Sequence, residues 1–197
     1  MRPGRRRNAR DTRAAILVSA RRAFTRFGYD GVGVREIAEG AGVTAMLVNR
    51  YFGSKERLFA DVVAATMAEP GILTDRVTKQ RQDVASLGAD IAAELMAKTA
   101  PGDTPLDGFL IMLRSASNER AAAIWREQIE RHYQKTLTDM LPGAMAPERA
   151  ALLLALVSGF QMMRQVIGVP ALAQANAAAL SKLLARICQA VIDAEAG

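Results

Sequence analysis

One cysteine, one histidine and one tryptophan stand in 197 residues, and each scarcity removes a class of function. A lone thiol, Cys188, builds no disulfide framework and leaves no CxxC metal or redox motif. A single histidine, His132, has Glu127 and Glu130 nearby but no His/Cys/Asp cluster at ligand spacing, so no metal and no cofactor is expected. No GxSxG elbow or nucleotide fingerprint occurs, and Gly28, Gly31 and Gly33 are turn residues after a helix; an enzyme on a helical bundle is disfavoured. Aromatics are 5% of the chain and period-two alternation is missing, so strands are not expected. The longest apolar stretch, 150–168, is interrupted by Gln161, Arg164 and Gln165, whereas a membrane span needs roughly 20 apolar residues. The basic opening, 2–7, is not followed by the apolar core of a signal segment. A cytoplasmic protein with no membrane partner is the expectation.

Acidic charge is scarce in one region only. Residues 1–57 hold 13 Lys/Arg and 5 Asp/Glu, whereas residues 58–197 hold 13 and 15; the whole chain is +6. An anion-binding N-terminal quarter on a near-neutral body follows from that asymmetry. The run Arg5-Arg6-Arg7 is either a solvated tail or an arm reaching DNA phosphate or the minor groove.

What remains is helix-forming: Ala, Leu, Arg, Glu and Gln dominate. The spacing predicts an all-α chain. The first helix is expected from Thr12 to Gly28, with Ile16, Leu17, Ala20, Phe24 and Phe27 on its apolar face. Short helices follow at 34–40 and 44–51, and Ser54 caps another over 55–68. Prolines divide the remainder into helices near 83–99, 105–117, 119–140, 147–168 and 172–194.

The segment Val34–Tyr51 is the informative one. Short helices cross steeply only where the contact residue is small and the turn tolerates an unusual backbone; Ala38 and Gly42 supply both. Ile37, Val43, Val48 and Tyr51 are spaced to fill the wedge between them. Thr44 caps the second helix, whose outer face offers Ala45, Met46, Asn49 and Arg50. This is a helix-turn-helix over about 34–52, with 44–51 as the helix that enters a major groove about 12 Å wide. Arg35, beside the turn, faces phosphate. Lys55 sits at a helix start where the macrodipole disfavours a cation, which points to a phosphate contact. Tyr51 divides between wedge packing and a hydroxyl bond to phosphate.

Thr12–Leu17, Phe24, Gly28-Tyr29, Val34-Arg35-Glu36-Ile37-Ala38, Ala41-Gly42-Val43-Thr44 and Tyr51-Phe52-Gly53-Ser54-Lys55-Glu56-Arg57-Leu58 together resemble the DNA-binding domain of the TetR family of bacterial transcriptional regulators, over about residues 10–60. Segments from Leu110-Ile111-Met112-Leu113-Arg114-Ser115 onward are similar to an actinobacterial C-terminal subtype. The resemblance implies a three-helix DNA-binding domain followed by a helical bundle that binds a small effector and dimerises. Residues 1–10 are then a basic flexible arm, 11–57 the DNA-binding domain and 58–197 the effector-binding and dimerisation domain. Gly33 stands where relatives often have Ser or Thr, Ala45-Met46 where Lys-Gly is common, and Asn49 where an aromatic or His is common. Base preference therefore does not carry over.

The expected function is a homodimeric repressor on double-stranded, (pseudo)palindromic operator DNA, released by an unidentified small molecule. A constitutive DNA-binding regulator without an effector is the alternative. The resemblance implies that part of an apolar set, Met96, Phe109, Met112, Trp125, Tyr133 and Phe160, lines the effector cavity. In the helix at 147–168, Leu152, Leu153, Leu154, Leu156, Val157, Phe160 and Met163 cover several faces. That breadth predicts that the last two helices pair with their copies.

Overall fold

A computed structural model describes the backbone of residues 3–69, 84–100 and 106–194, with side chains from residue 9. Among the described residues every regular element is a helix: α1 (Pro3–Phe27), α2 (Val34–Gly40), α3 (Ala45–Phe52), α4 (Lys55–Met67), α5 (Val84–Lys98), α6 (Asp107–Ser115), α7 (Glu119–Ile129), α8 (Lys135–Met140), α9 (Ala146–Gln161), α10 (Pro170–Ala173) and α11 (Ala177–Ile192). A π-helical turn, Glu130–Gln134, follows α7, and another, Met162–Val166, follows α9. No described helix is long and apolar enough to cross a membrane.

α1 starts earlier than the expected Thr12. Past Gly4 nothing before Thr12 breaks a helix, and proline suits a first turn, so Asp11 and Thr12 become interior positions. The side chains of Arg5, Arg6 and Arg7 lie outside the described residues. The single helix expected over 172–194 is two: Asn176 starts α11 by accepting the Ala179 N–H at 3.0 Å.

The chain groups into two compact units: Met1–Glu69 with Pro105–Gln128, and Pro70–Thr104 with Ile129–Gly197. The domain boundary expected at 57 falls inside α4, whose Leu58, Phe59, Val62 and Val63 are buried in the first core beside Ile111 and Trp125 of α6 and α7. That core centres on three rings. Phe59 meets Phe24 and Tyr29 edge-on at 5.0 and 4.9 Å, and Phe24 stacks on Tyr29 at 6.2 Å.

Phe27, expected in the core, is 48% exposed under the Arg26 guanidinium. The chain leaves the helix at Gly28 (φ +70°), so Tyr29 and Val32 take the buried place instead. A Cβ at Gly28 would lie 2.3 Å from the Arg114 carbonyl oxygen, whereas one at Gly42 (φ +65°) would meet nothing within 4 Å. Gly42→Ala then carries only the left-handed backbone penalty, about 1–2 kcal/mol. Gly28→Ala adds a backbone clash and costs about 2–3 kcal/mol. Urea unfolding of the two variants checks this ordering; equal losses would contradict it.

Arg21 ties three elements of the first unit. Its guanidinium donates to Glu69, just past α4, through both terminal nitrogens (2.8 Å for Nη2–Oε2), and its Nε donates to Asp107 of α6 at 3.0 Å. Hydrogen bonding to Arg21 holds the Glu69 carboxyl below its ordinary range. A carboxylate whose pKa is depressed by folding contributes stability near neutral pH and loses it as pH falls through the carboxylate range. Both acids are nearly half exposed, so the contribution is small. Glu69→Gln is expected to flatten the acid limb of a stability-versus-pH curve without changing its alkaline side.

The second unit packs Leu87, Ile91 and Leu95 of α5 with Leu153, Val157 and Phe160 of α9 and Leu184, Cys188 and Ile192 of α11. Burial pushes the Cys188 thiol up to about 11, which keeps it protonated and unreactive. Two buried arginines close helix ends. Arg149 donates to the Ile192 carbonyl at 2.6 Å, and Arg164 donates to Thr99 Oγ1 at 2.9 Å and the Met96 carbonyl at 3.4 Å. Carbonyls in a last helical turn lack partners and carry negative partial charge, so guanidinium groups suit them. Some apolar side chains point outward: Leu152 of α9 is 58% exposed and Leu183 of α11 53%, and Ile187 of α11 and Met163 and Ile167 beyond α9 are exposed as well.

Candidate nucleic-acid interface

The helix pair is assembled from local interactions. Gly33 has no hydroxyl with which to cap α2, but Glu36 reaches back and accepts the Gly33 N–H at 2.6 Å, one half of a capping box. Ser19 of α1 donates to the Ile37 carbonyl at 2.7 Å and anchors α2. At the turn the Val43 N–H bonds the Ala38 carbonyl at 2.9 Å, and Gly42 adopts its positive φ. Thr44 caps α3, its hydroxyl facing the Leu47 N–H at 3.4 Å, and Ser54 caps α4 at 3.1 Å to the Arg57 N–H.

Packing then decides which side of α3 is free. Val48 and Phe52 are buried, and Leu47 and Tyr51 are half-buried. Ile37 is buried opposite them, and Val43 and Tyr51 pack against the same core. Met46, Asn49 and Arg50 are exposed along one stripe, at i, i+3 and i+4. Thr44 is exposed at its N-terminal end and Ala45 half-exposed. Arg35 is exposed at the start of α2. Among the described residues Arg35, Asn49 and Arg50 make no side-chain hydrogen bond or ion pair. A surface of unpaired donors on a short capped helix is suited to groove edges and phosphate.

Lys55 is held differently. Its Nζ lies 4.4 Å from the centroid of the Tyr29 ring, a cation–π contact that positions the charge without neutralising it. Tyr29 owes this place to the Gly28 reversal, which sets its ring against the start of α4. Arg13 lies similarly over Phe52 at 4.8 Å and pairs with Asp61 at 2.5 Å.

Two family models match this chain. Residues 16–62 match "Bacterial regulatory proteins, tetR family", and residues 85–192 match "Tetracyclin repressor-like, C-terminal domain". The chain belongs to the tetR family of bacterial regulatory proteins. Its members are DNA-binding transcriptional regulators. The transcriptional regulatory protein RaaS of Mycobacterium tuberculosis is 29% identical over 138 residues, 69% of this chain and 60% of that protein. The transcriptional repressor AcnR of Corynebacterium efficiens is 40% identical over 62 residues, 30% of this chain and 33% of that protein. The chain thus spans less than two thirds of either relative. A TetR-family regulator from Streptomyces coelicolor A3 superposes with a TM-score of 0.59 at 25% identity, covering 98% of this chain and 99% of its own.

The six expected effector residues divide between the units of this tetR-family chain. Phe109, Met112 and Trp125 belong to the first, where Trp125 is buried with its indole N–H unpaired and Met112 packs against the core. Met96, Tyr133 and Phe160 belong to the second, with Arg164 over the Phe160 ring at 5.8 Å and 3.3 Å from the Met96 sulfur. Burial raises the Tyr133 phenol above its ordinary range, so it stays neutral. Arg164 was legible only as an interruption in an apolar stretch; that it is 7% exposed depends on the α5 end it caps. His132 is exposed, and among the described residues no group of three His, Cys, Asp or Glu is placed to hold a metal.

Proposed function

We propose that this chain is a cytoplasmic, homodimeric transcriptional repressor that reads a (pseudo)palindromic operator through α3 and leaves it when a small molecule binds. The observation that carries the reading is the unpaired, exposed stripe on α3 beside a strongly basic N-terminal quarter. Residues 11–57 do the reading, with the arm at Arg5, Arg6 and Arg7 adding phosphate or minor-groove contacts. Residues 58–197 bind the effector and dimerise through α9 and α11. Similarity to the repressor AcnR over 62 residues favours a repressor.

Roles divide by chemistry. Asn49 reads a base edge, where an amide pairs bidentately with adenine. Arg35, Thr44, Arg50, Tyr51 and Lys55 bind phosphate or the adjacent groove edge, and Ala45 and Met46 lie against the bases. Lys55→Ala is expected to weaken binding to every duplex and to flatten the salt dependence by about one phosphate. Asn49→Ala is expected to cost roughly 1–3 kcal/mol at a single base position. Gel shifts of both variants across a salt series and a base-substitution series test this; equal, sequence-independent losses for the two would refute it.

The effector contacts we propose are drawn from Met96, Phe109, Met112, Trp125, Tyr133 and Phe160, the apolar set that the family resemblance implies. Two recognition helices of a dimer match major-groove segments only at a separation near 34–36 Å or a multiple of it. α4 carries the start of each body, so a tilt of it changes that separation. A 100-fold loss of operator affinity requires about 2.7 kcal/mol of coupling, and linkage requires operator DNA to weaken the effector by the same factor. A ligand that binds equally well with and without operator DNA would leave the DNA-binding role without the induction mechanism, the constitutive alternative.

A further inference from the structure

We propose that Met46 reads thymine, its thioether packing on the 5-methyl group of one thymine in each operator half-site. The inference rests on the reading that α3 lies in the major groove. Met46 is 80% exposed, and no other large apolar side chain among the described residues is as exposed. It is also the only strongly exposed large apolar side chain on α2, α3 or α4. A docking surface for a protein partner needs a contiguous apolar patch. Met46 instead stands alone among polar neighbours, with Asn49 and Arg50 on its own stripe and Thr44 at the end of the helix.

Its place on the helix narrows the occupant. Met46 lies in the first turn of α3, the end that helix-turn-helix recognition helices present to base edges. The apolar group that protrudes into the major groove is the thymine methyl; the other features that distinguish base pairs there are hydrogen-bond donors and acceptors. An unbranched thioether adapts to a single methyl without requiring fixed geometry. Asn49 follows three residues later, roughly 4.5 Å along the helix axis, while successive base pairs are about 3.4 Å apart. The thymine therefore lies within one or two base pairs of the adenine that Asn49 reads. Together the two side chains specify an A/T-containing step in the centre of each half-site.

Uracil isolates the contact, because it differs from thymine only by the methyl group. Duplexes are first selected from a random pool with the purified full-length protein. Each thymine of the selected half-site is then replaced in turn by deoxyuridine, in both half-sites at once, and affinities are measured by gel shift. One position is expected to lose about fourfold per half-site, roughly sixteenfold for both, the equivalent of one buried methyl at about 0.8 kcal/mol each. Met46→Ala is expected to lower affinity for the thymine duplex by a similar factor and to abolish the uracil effect at that position. Met46→Leu is expected to retain both. Uracil that is neutral at every position, or an unchanged uracil effect in Met46→Ala, overturns the thymine assignment while leaving the operator reading intact. Failure to select any duplex overturns the operator reading and this inference with it.

Discussion

Replacing Phe59 by alanine is expected to remove about 3–5 kcal/mol of stability and, at growth temperature, operator binding with it. Phe59 is fully buried and makes edge contacts with both Phe24 and Tyr29. Its loss leaves a cavity bordered by two rings on α1 and the Gly28 turn, a region that cannot collapse without moving the helix ends. Whole domains are stable by only about 5–15 kcal/mol, so the variant keeps little margin. The same ring cluster supports function directly, since Tyr29 presents the face on which the Lys55 ammonium rests. Phe59→Leu, which keeps most of the volume, serves as the control and should lose far less. Urea unfolding followed by circular dichroism, paired with gel shifts at two temperatures, measures both effects. A loss below about 1 kcal/mol would show that the three rings are not the centre of the first core.

Placing charge on the outer face of α9 and α11 is expected to separate the proposed dimer and to reduce operator affinity by more than 100-fold. The physical basis is the division of each helix into two apolar stripes. On α11, Leu184, Cys188 and Ile192 recur every fourth residue and are buried, while Leu183 and Ile187 face solvent. On α9, Leu153, Val157 and Phe160 are buried, and Leu152 is exposed together with Met163 and Ile167 beyond it. Exposed large apolar side chains on two neighbouring segments suit a covered surface, and closed two-fold pairing with an identical copy is the commonest solution. Leu152→Glu with Leu183→Glu puts like charges on both sides of such a pairing. Each side chain is already more than half exposed, so the folded protomer should survive, as its helical circular dichroism would show. Sedimentation is expected to change from dimer to monomer. Affinity falls because one molecule no longer holds both half-sites, and linking two sites is commonly worth 10²–10⁴ in avidity. An unchanged sedimentation coefficient, or a monomeric parent protein, would refute the assembly.

The reading head was largely legible from the chain because its determinants are local. Ala38, Gly42, Thr44 and Ser54 act within a few residues of themselves, through a close helix contact, a positive φ and two caps. Composition and periodicity were likewise enough for an all-helical fold, since an amphipathic helix is visible in its own spacing. Periodicity does not say against what an apolar face is buried. Phe27 and Leu183 carry the same pattern as Phe24 and Leu184, yet they face outward, because each helix meets its core along one stripe only. Breaks within the long helices depended on Asn176 and on two π turns that no residue type announces. Arg149 and Arg164 are buried, each satisfying a carbonyl at the end of a helix distant in sequence. The division of the six candidate effector residues between two units is of the same kind. Caps, turns and helical periods are written into neighbouring residues; which faces meet, and which charged groups are drawn inside to complete helix ends, is decided only when segments far apart in the chain pack together.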